Sequence, residues 1–341
     1  MRRSAIALFI GFAVILIIAP FAEAQSLNIP SKTWGLSFGN SKEFSGLRFN
    51  FRDSRVRRIR GVNVTLWQPR KDNKDSLIEG ISLGLIPGGG NLRGLQIGIL
   101  GVGAERDIKG ISLGLLGAGA GEDIVGVSIG GLGAGAGKDL KGIALGGLGA
   151  GAGEDVVGLV IGGLGAGAGK NLKGIIFGGL GAGAGEDVVG ITIGGLGAGA
   201  GKNMIGLNVG GLGVGAGERL AGISIGGIGA GAGKELKGIA LAGIGAGAPA
   251  VRGLLIGGAA VGGQDIKGIF LAGGCVHVPK GGQMSGLAAS AFNYIKGSQT
   301  GLCIGIVNYA YSVKGVQIGI VNIVRENPKS LRILPIFNTS F

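Results

Sequence analysis

From Gly110 to Gly245 the hydrophobic and small positions recur with a fixed period of sixteen residues, readable from Gly142 to Val157 as G-I-A-L-G-G-L-G-A-G-A-G-E-D-V-V. An anchor glycine opens each phrase, at Gly110, Gly126, Gly142 and onward to Gly238. Self-similarity at a short fixed period marks an array in which each unit packs on its neighbours. One residue after the anchor stand Ile111, Val127 and Ile143; three after it stand Leu113, Ile129 and Leu145. Between them runs a small or mixed column, Ser112, Ser128, Ala144 and Val160. This alternation, rich in β-branched residues, predicts a short strand with one face buried, the face carrying the Ile and Leu columns. Six after the anchor come Leu116, Leu132 and Leu148, whose parity is wrong for that face. The chain must therefore bend between the two columns or bury both faces. Seven after the anchor the column holds Gly117 and Gly133 in mid-array, Asn293, Asn308, Asn322 and Asn338 near the end, and Asp53, Gln68 and Pro87 near the start. These residue types tolerate φ > 0 or favour turns, which points to a bend at that position. Each unit reads as two short strands, a bend, and a turn at G-E-D or G-K-N. That is one coil of a narrow, all-β parallel solenoid.

Charge supports this geometry. The turns carry Glu122, Lys138, Glu154, Lys170, Glu186, Lys202, Glu218 and Lys234 in strict alternation. Coils stacked in parallel place such side chains about 4.8 Å apart, each against its opposite. An antiparallel outer-membrane β-barrel is the alternative, with Glu turns at one rim and Lys turns at the other. The terminal Phe341, with Phe337 on the same parity, favours it. The near absence of aromatic girdles and of longer loops on one side opposes it, since Phe177 is the one aromatic in the core repeats.

In chain order, residues 1–24 read as a secretory signal: Arg2 and Arg3, the apolar run Ala5 to Phe21, and a small-x-small site at Ala22-Glu23-Ala24. No second hydrophobic helix of spanning length follows. Residues 25–79 form degenerate N-terminal capping units, as an open stack requires. They concentrate Arg48, Arg52, Arg55, Arg57, Arg58, Arg60, Arg70, Lys71 and Lys74. This basic region reads either as a site for anionic lipid or acidic glycan or as a solvated, charged cap. The regular array occupies 80–252. Irregular C-terminal repeats and a cap fill 253–341, with anchors at Gly253, Gly268, Gly286, Gly301 and Gly315.

The phrases Gly301-Leu-Cys-Ile-Gly-Ile-Val-Asn, Gly315-Val-Gln-Ile-Gly-Ile-Val-Asn and Gly94-Leu-Gln-Ile-Gly-Ile-Leu-Gly resemble the leptospiral-type GxQxGxxN repeats of bacterial surface-repeat proteins. The resemblance covers nearly all of the chain after residue 24. It implies export and an envelope or surface location, and it brings no enzymatic activity with it. The chain departs from that pattern in carrying G-A-G-A-G where Asn-containing units are expected, so a shared ligand does not follow.

Composition leaves little room for catalysis. Of 341 residues 81 are glycine and one is histidine; His277 alone cannot build a Ser-His-Asp or His-rich metal site. The run G-A-G-A-G-K lacks the phosphate-loop pattern, because Leu132 stands where its first glycine belongs and Asp139 follows Lys138. The G-x-G-x-x-G dinucleotide pattern fails as well. Gly135-Ala-Gly137-Lys-Asp139 partly resembles a calcium-binding β-roll, with Asp123, Asp139, Asp155 and Asp187 as oxygen ligands. The column then turns to Asn171, Asn203, Arg219 and Glu235, and turn capping by Asp and Asn accounts for it equally. Cys275 and Cys303 stand in different columns, compatible with a disulfide or with two packed thiols. No catalytic, cofactor-binding or metal residue is assigned. With a net charge of +13 but 5% aromatic residues, nucleic acid is a poor partner for an exported chain.

The expectation is a non-enzymatic scaffold or adhesin at the outer membrane or cell surface of a Gram-negative-type bacterium, with a barrel pore as the alternative. The Gly/Ala columns, including Ala150, Ala166 and Ala182, are expected to form a flat outer strip for self-association or envelope docking.

Overall fold

The computed structural model describes residues 26–340; the secretory signal read over 1–24 and the terminal Phe341 lie outside them. The chain divides into two compact units, Met1–Gly163 and Leu164–Phe341. Each is a β-solenoid of stacked coils, and the described residues contain no α-helix.

In the first unit a long strand, Leu140–Gly146, is followed by a short one, Gly149–Ala152. The long strand lies parallel between Ile124–Gly130 and Val156–Gly162, with Gly142 facing Gly126 and Gly158. The short strand lies parallel to Gly133–Ala136. The second unit repeats the scheme: Val188–Gly194 pairs with Leu172–Gly178 and Asn203–Gly210. Every partner is one period away, so residues of the same column face one another. These parallel ladders exclude the barrel, in which neighbouring strands run antiparallel. Outermost strands differ from the rest. Ser26–Pro30 is antiparallel to Trp34–Gly39 in the first unit, and Ile333–Asn338 is antiparallel to Val307–Val324 in the second. Both sit on ladder ends that would otherwise present unpaired backbone groups.

The core is not on the side the apolar columns suggested. The residue two before each anchor points inward: Ile108, Ile124 and Leu140 are fully buried. So is the small or mixed column two after it, Ser112, Ser128, Ala144 and Val160 in the first unit and Ile176, Thr192 and Asn208 in the second. The columns one and three after the anchor point out; Ile111 is 44% exposed and Phe177 44%. The alternation was real, but the apolar columns form the outer face. The reason is interior width. Across the core the short strand offers small side chains, chiefly alanines such as Ala118, Ala134 and Ala150, with valine at Val102 and Val214, all buried. Coils this narrow hold one layer of side chains. Parallel strands are commonly apolar on both faces, so hydrophobicity does not say which face is inner.

The same geometry corrects the Gly/Ala strip. Ala150, Ala166 and Ala182 are buried and point inward, so they form no outer strip. The outward positions of the short strands are glycines such as Gly133 and Gly135.

The bend precedes the column seven after the anchor, at Leu115–Leu116 and its counterparts. Gly117 and Gly133 open the short strand. Positive φ belongs instead to the anchors, from +102° at Gly222 to +147° at Gly315. The Asn residues of the final coils are not equivalent to those glycines. Phe292 faces Cys275 and Asn293 faces Val276, because the bend there is one residue shorter. This places Asn293, Asn308 and Asn322 inside, where they form a ladder of amide hydrogen bonds. Asn293 Nδ2 donates to Asn308 Oδ1 at 2.7 Å, and Asn308 Nδ2 to Asn322 Oδ1 at 2.8 Å. Each also donates to a backbone carbonyl, which satisfies the buried amides.

Two glycines separate backbone demand from mere absence of a side chain. Gly142 has φ +132°, and a Cβ there would lie 2.0 Å from the carbonyl oxygen of Gly126. Gly103 is exposed, with nothing within 4 Å of a Cβ. Gly142→Ala is expected to cost at least about 3 kcal/mol, from left-handed strain plus displacement of a stacked backbone. Gly103→Ala is expected to stay within about 0.5 kcal/mol of the parent protein. Urea unfolding of the two variants side by side measures the difference; equal stability would contradict this account of the anchor.

Candidate interaction face

Each coil presents four outward features. The long strands carry the aliphatic columns one and three after the anchor. The bend carries exposed leucines such as Leu132, Leu148 and Leu180. The short strands show glycine, and the turn shows alternating charge. Along the turn, Lys138 Nζ lies 2.8 Å from Glu122 Oε2, Lys202 Nζ 2.7 Å from Glu186 Oε2, and Lys234 Nζ 2.8 Å from Glu218 Oε1. The alternation thus acts as a register key within each unit. The contact with Lys138 holds Glu122 below the ordinary range and raises Lys138 in turn. These are exposed pairs, and their contribution to stability is small.

The aspartates of the turn cap the backbone. Asp123 Oδ1 accepts the N–H of Asp139 at 3.2 Å, and Asp139 Oδ1 that of Asp155 at 3.4 Å. Asp187 Oδ1 accepts from both the backbone and the amide of Asn203, at 3.2 and 2.8 Å. Each carboxylate is thus directed along the stack to the next coil. Among the described residues no group of three or more His, Cys, Asp or Glu side chains gathers as metal ligands.

The first-unit basic cluster is partly internal. Arg48 is fully buried in the inward column, paired with buried Asp53 and donating to Asn63 Oδ1 at 2.7 Å and Asn40 Oδ1 at 3.1 Å. It is removed from any lipid or glycan. Arg58, Arg60 and Arg93 converge on Glu79, at 3.0, 3.1 and 3.6 Å. Pairing thus takes Arg48 out of the basic surface of residues 25–79, while Arg58 and Arg60 stay about half exposed beside Glu79.

His277 stands exposed on the outer side of the short strands, its ring 5.6 Å from Tyr294. Tyr294 also packs on Phe292 and Tyr309, with Lys296 Nζ 4.8 Å above its ring. Cys275 and Cys303 are free thiols, and burial raises both above the usual thiol range. Neither has the lowered pKa of a reactive cysteine.

The dominant surface feature is the aliphatic face of the long strands. Ile111, Ile143 and Ile161 in the first unit, and Ile175, Ile223 and Ile239 in the second, are all more than a third exposed. At the start of the first unit the same face carries Trp34, Phe38 and Phe49, with the two phenylalanine rings stacked at 5.6 Å. Isolated exposed aliphatics are ordinary on proteins, whereas continuous apolar columns mark an interaction surface. The composition pattern held the signal that would have revealed this: the columns one and three after the anchor are more uniformly aliphatic than the column between them. The assignment of inside and outside is the reverse of the one that alternation suggests.

Hydrogen bonds from Arg60 and Arg58 hold the Glu79 carboxyl below its usual 4.5. A carboxylate lowered in the folded state contributes stability above its unfolded pKa, and that contribution is lost as pH falls through the folded value. Glu79→Gln is therefore expected to flatten the fall in melting temperature between about pH 5 and pH 3. Thermal unfolding across that range checks it, and an unchanged slope would contradict the convergence on Glu79.

Comparison of the chain with protein-family models, with curated proteins and with solved structures finds no match.

Proposed function

We propose that this chain is exported and serves as a non-enzymatic scaffold of the cell envelope or surface, presenting the aliphatic face of its long strands as an adhesive surface. The observation that carries the reading is that the apolar columns one and three after the anchor run outward along each unit, with about half of their residues exposed and none buried. A face of that composition is stable in use only when something covers it. The signal-like segment 1–24 and the resemblance of the Gly301 and Gly315 phrases to bacterial surface repeats favour an envelope location. The coil geometry suits a scaffold, because each added unit extends the face without altering its chemistry.

Two measurements on the producing cell test this. N-terminal sequencing of the protein from the envelope fraction is expected to begin at Gln25. Replacing Ile111, Ile143 and Ile161 with Glu is expected to release most of the protein from that fraction. Recovery of an uncleaved cytosolic chain would overturn the export reading. Full envelope retention of the triple variant would overturn the role given to the face.

A further inference from the structure

The second unit allows the partner of the face to be named by its chemistry. In Leu164–Phe341 the outward columns one and three after each anchor, Gly174 to Gly315, are wholly apolar. The column just before the anchor shares this face and holds Lys173, Lys237, Arg252, Lys267 and Lys314 among small and aliphatic residues. None of the three columns contains an acidic residue in this unit. Where a basic side chain reaches an acid, the acid stands at or beyond the edge of the face, as for Lys267 with Asp265 at 3.8 Å and Arg252 with Glu235 at 3.4 Å. At about 4.8 Å per coil and about 3.3 Å per residue, the three columns cover on the order of 600 Å². The bend leucines extend the area further. The two apolar columns alone make up about half of the three-column area, about 300 Å², which with the bend leucines falls within the range of the largest apolar patch of a typical monomer.

A second copy of the chain fits this face poorly. Face to face, it would set Lys and Arg against Lys and Arg, with carboxylates only at the edge, where they already pair within the chain. A partner matched in both respects is apolar beneath and negative at its surface. An anionic lipid surface has that layering: acyl chains below, phosphates above. Lys and Arg bordering an apolar surface bury their stems and lift their charges to headgroup level.

We propose that the long-strand face of Leu164–Phe341 docks flat on the surface of an anionic phospholipid bilayer. The Ile, Leu and Phe177 side chains enter the boundary between headgroups and acyl chains, and the basic column meets the phosphates. No strand crosses the membrane. The proposal rests on the adhesive reading of this face given above and specifies what the face adheres to.

The test is flotation of the purified mature chain with vesicles of phosphatidylcholine alone, or with one part in four phosphatidylglycerol. Binding to the anionic vesicles is expected to exceed binding to the neutral ones. Lys173→Gln, Lys237→Gln and Lys267→Gln together are expected to weaken it on the order of a hundredfold and erase the preference. Ile175→Glu, Ile223→Glu and Ile256→Glu together should abolish flotation. These positions lie at least two coils apart, so the new charges do not stack. Ile175→Thr, Ile223→Thr and Ile256→Thr keep β-branched residues at exposed strand positions and should weaken binding in a chain whose far-UV circular dichroism is unchanged. A parent protein that fails to float with either vesicle overturns the proposal, as does equal flotation of the folded Thr variant. If the non-floating parent sediments as a dimer that the Thr variant dissociates, the partner is a second copy. The lipid assignment then fails while the adhesive reading survives.

Discussion

Everything in the array depends on one backbone contact: the carbonyl of each anchor glycine lies over the next anchor, closer than any Cβ would permit. The anchors hold φ between +102° and +147°, a region L-residues avoid. Because that contact repeats at one period, every strand is translated onto its neighbour without slip. Register is the consequence, and like stacks on like throughout each unit.

Stacking like on like imposes different solutions on different columns. Apolar residues gain from it, so Ile and Leu columns run unbroken. Charges of one sign would repel at coil spacing, so the turn alternates Glu with Lys. Buried amides gain as well, because each Asn both donates and accepts along the stack; Asn293, Asn308 and Asn322 do so inside the final coils. Arg48 has no such self-complement. It is the first unit's costly exception, held by Asp53, Asn63 and Asn40. Its neighbours at the same inward column turn polar, then small, then apolar along the unit, from Asn63 through Ser112 to Val160.

The functional reading follows from the same constraint. A core one side chain thick cannot absorb all the hydrophobicity that parallel strand pairing favours, and the surplus is displayed outside as ordered columns. Repetition turns weak contacts into a strong attachment, since each coil adds an identical increment at fixed spacing. The charged turn supplies register, and in the proposed reading the aliphatic face meets a partner.

Much of this was legible in the sequence. The period, the two strands per coil, the parallel stack and the alternating Glu/Lys ladder are all local or translational properties. A perfect repeat writes them directly into residue spacing. Two matters escaped. Counting from the anchor equated Gly117 with Asn293, although a bend one residue shorter moves the asparagine inward; loop length is invisible until strands are paired. Alternation alone points to the apolar columns holding Ile111 and Leu113 as the inner face, although Ser112 and Ala144 line it. The sequence determined that the strands alternate and that the coils stack. Only the tertiary structure decided which side is in, because that depends on the narrow gap set by alanines from another strand, and no single strand carries that distance.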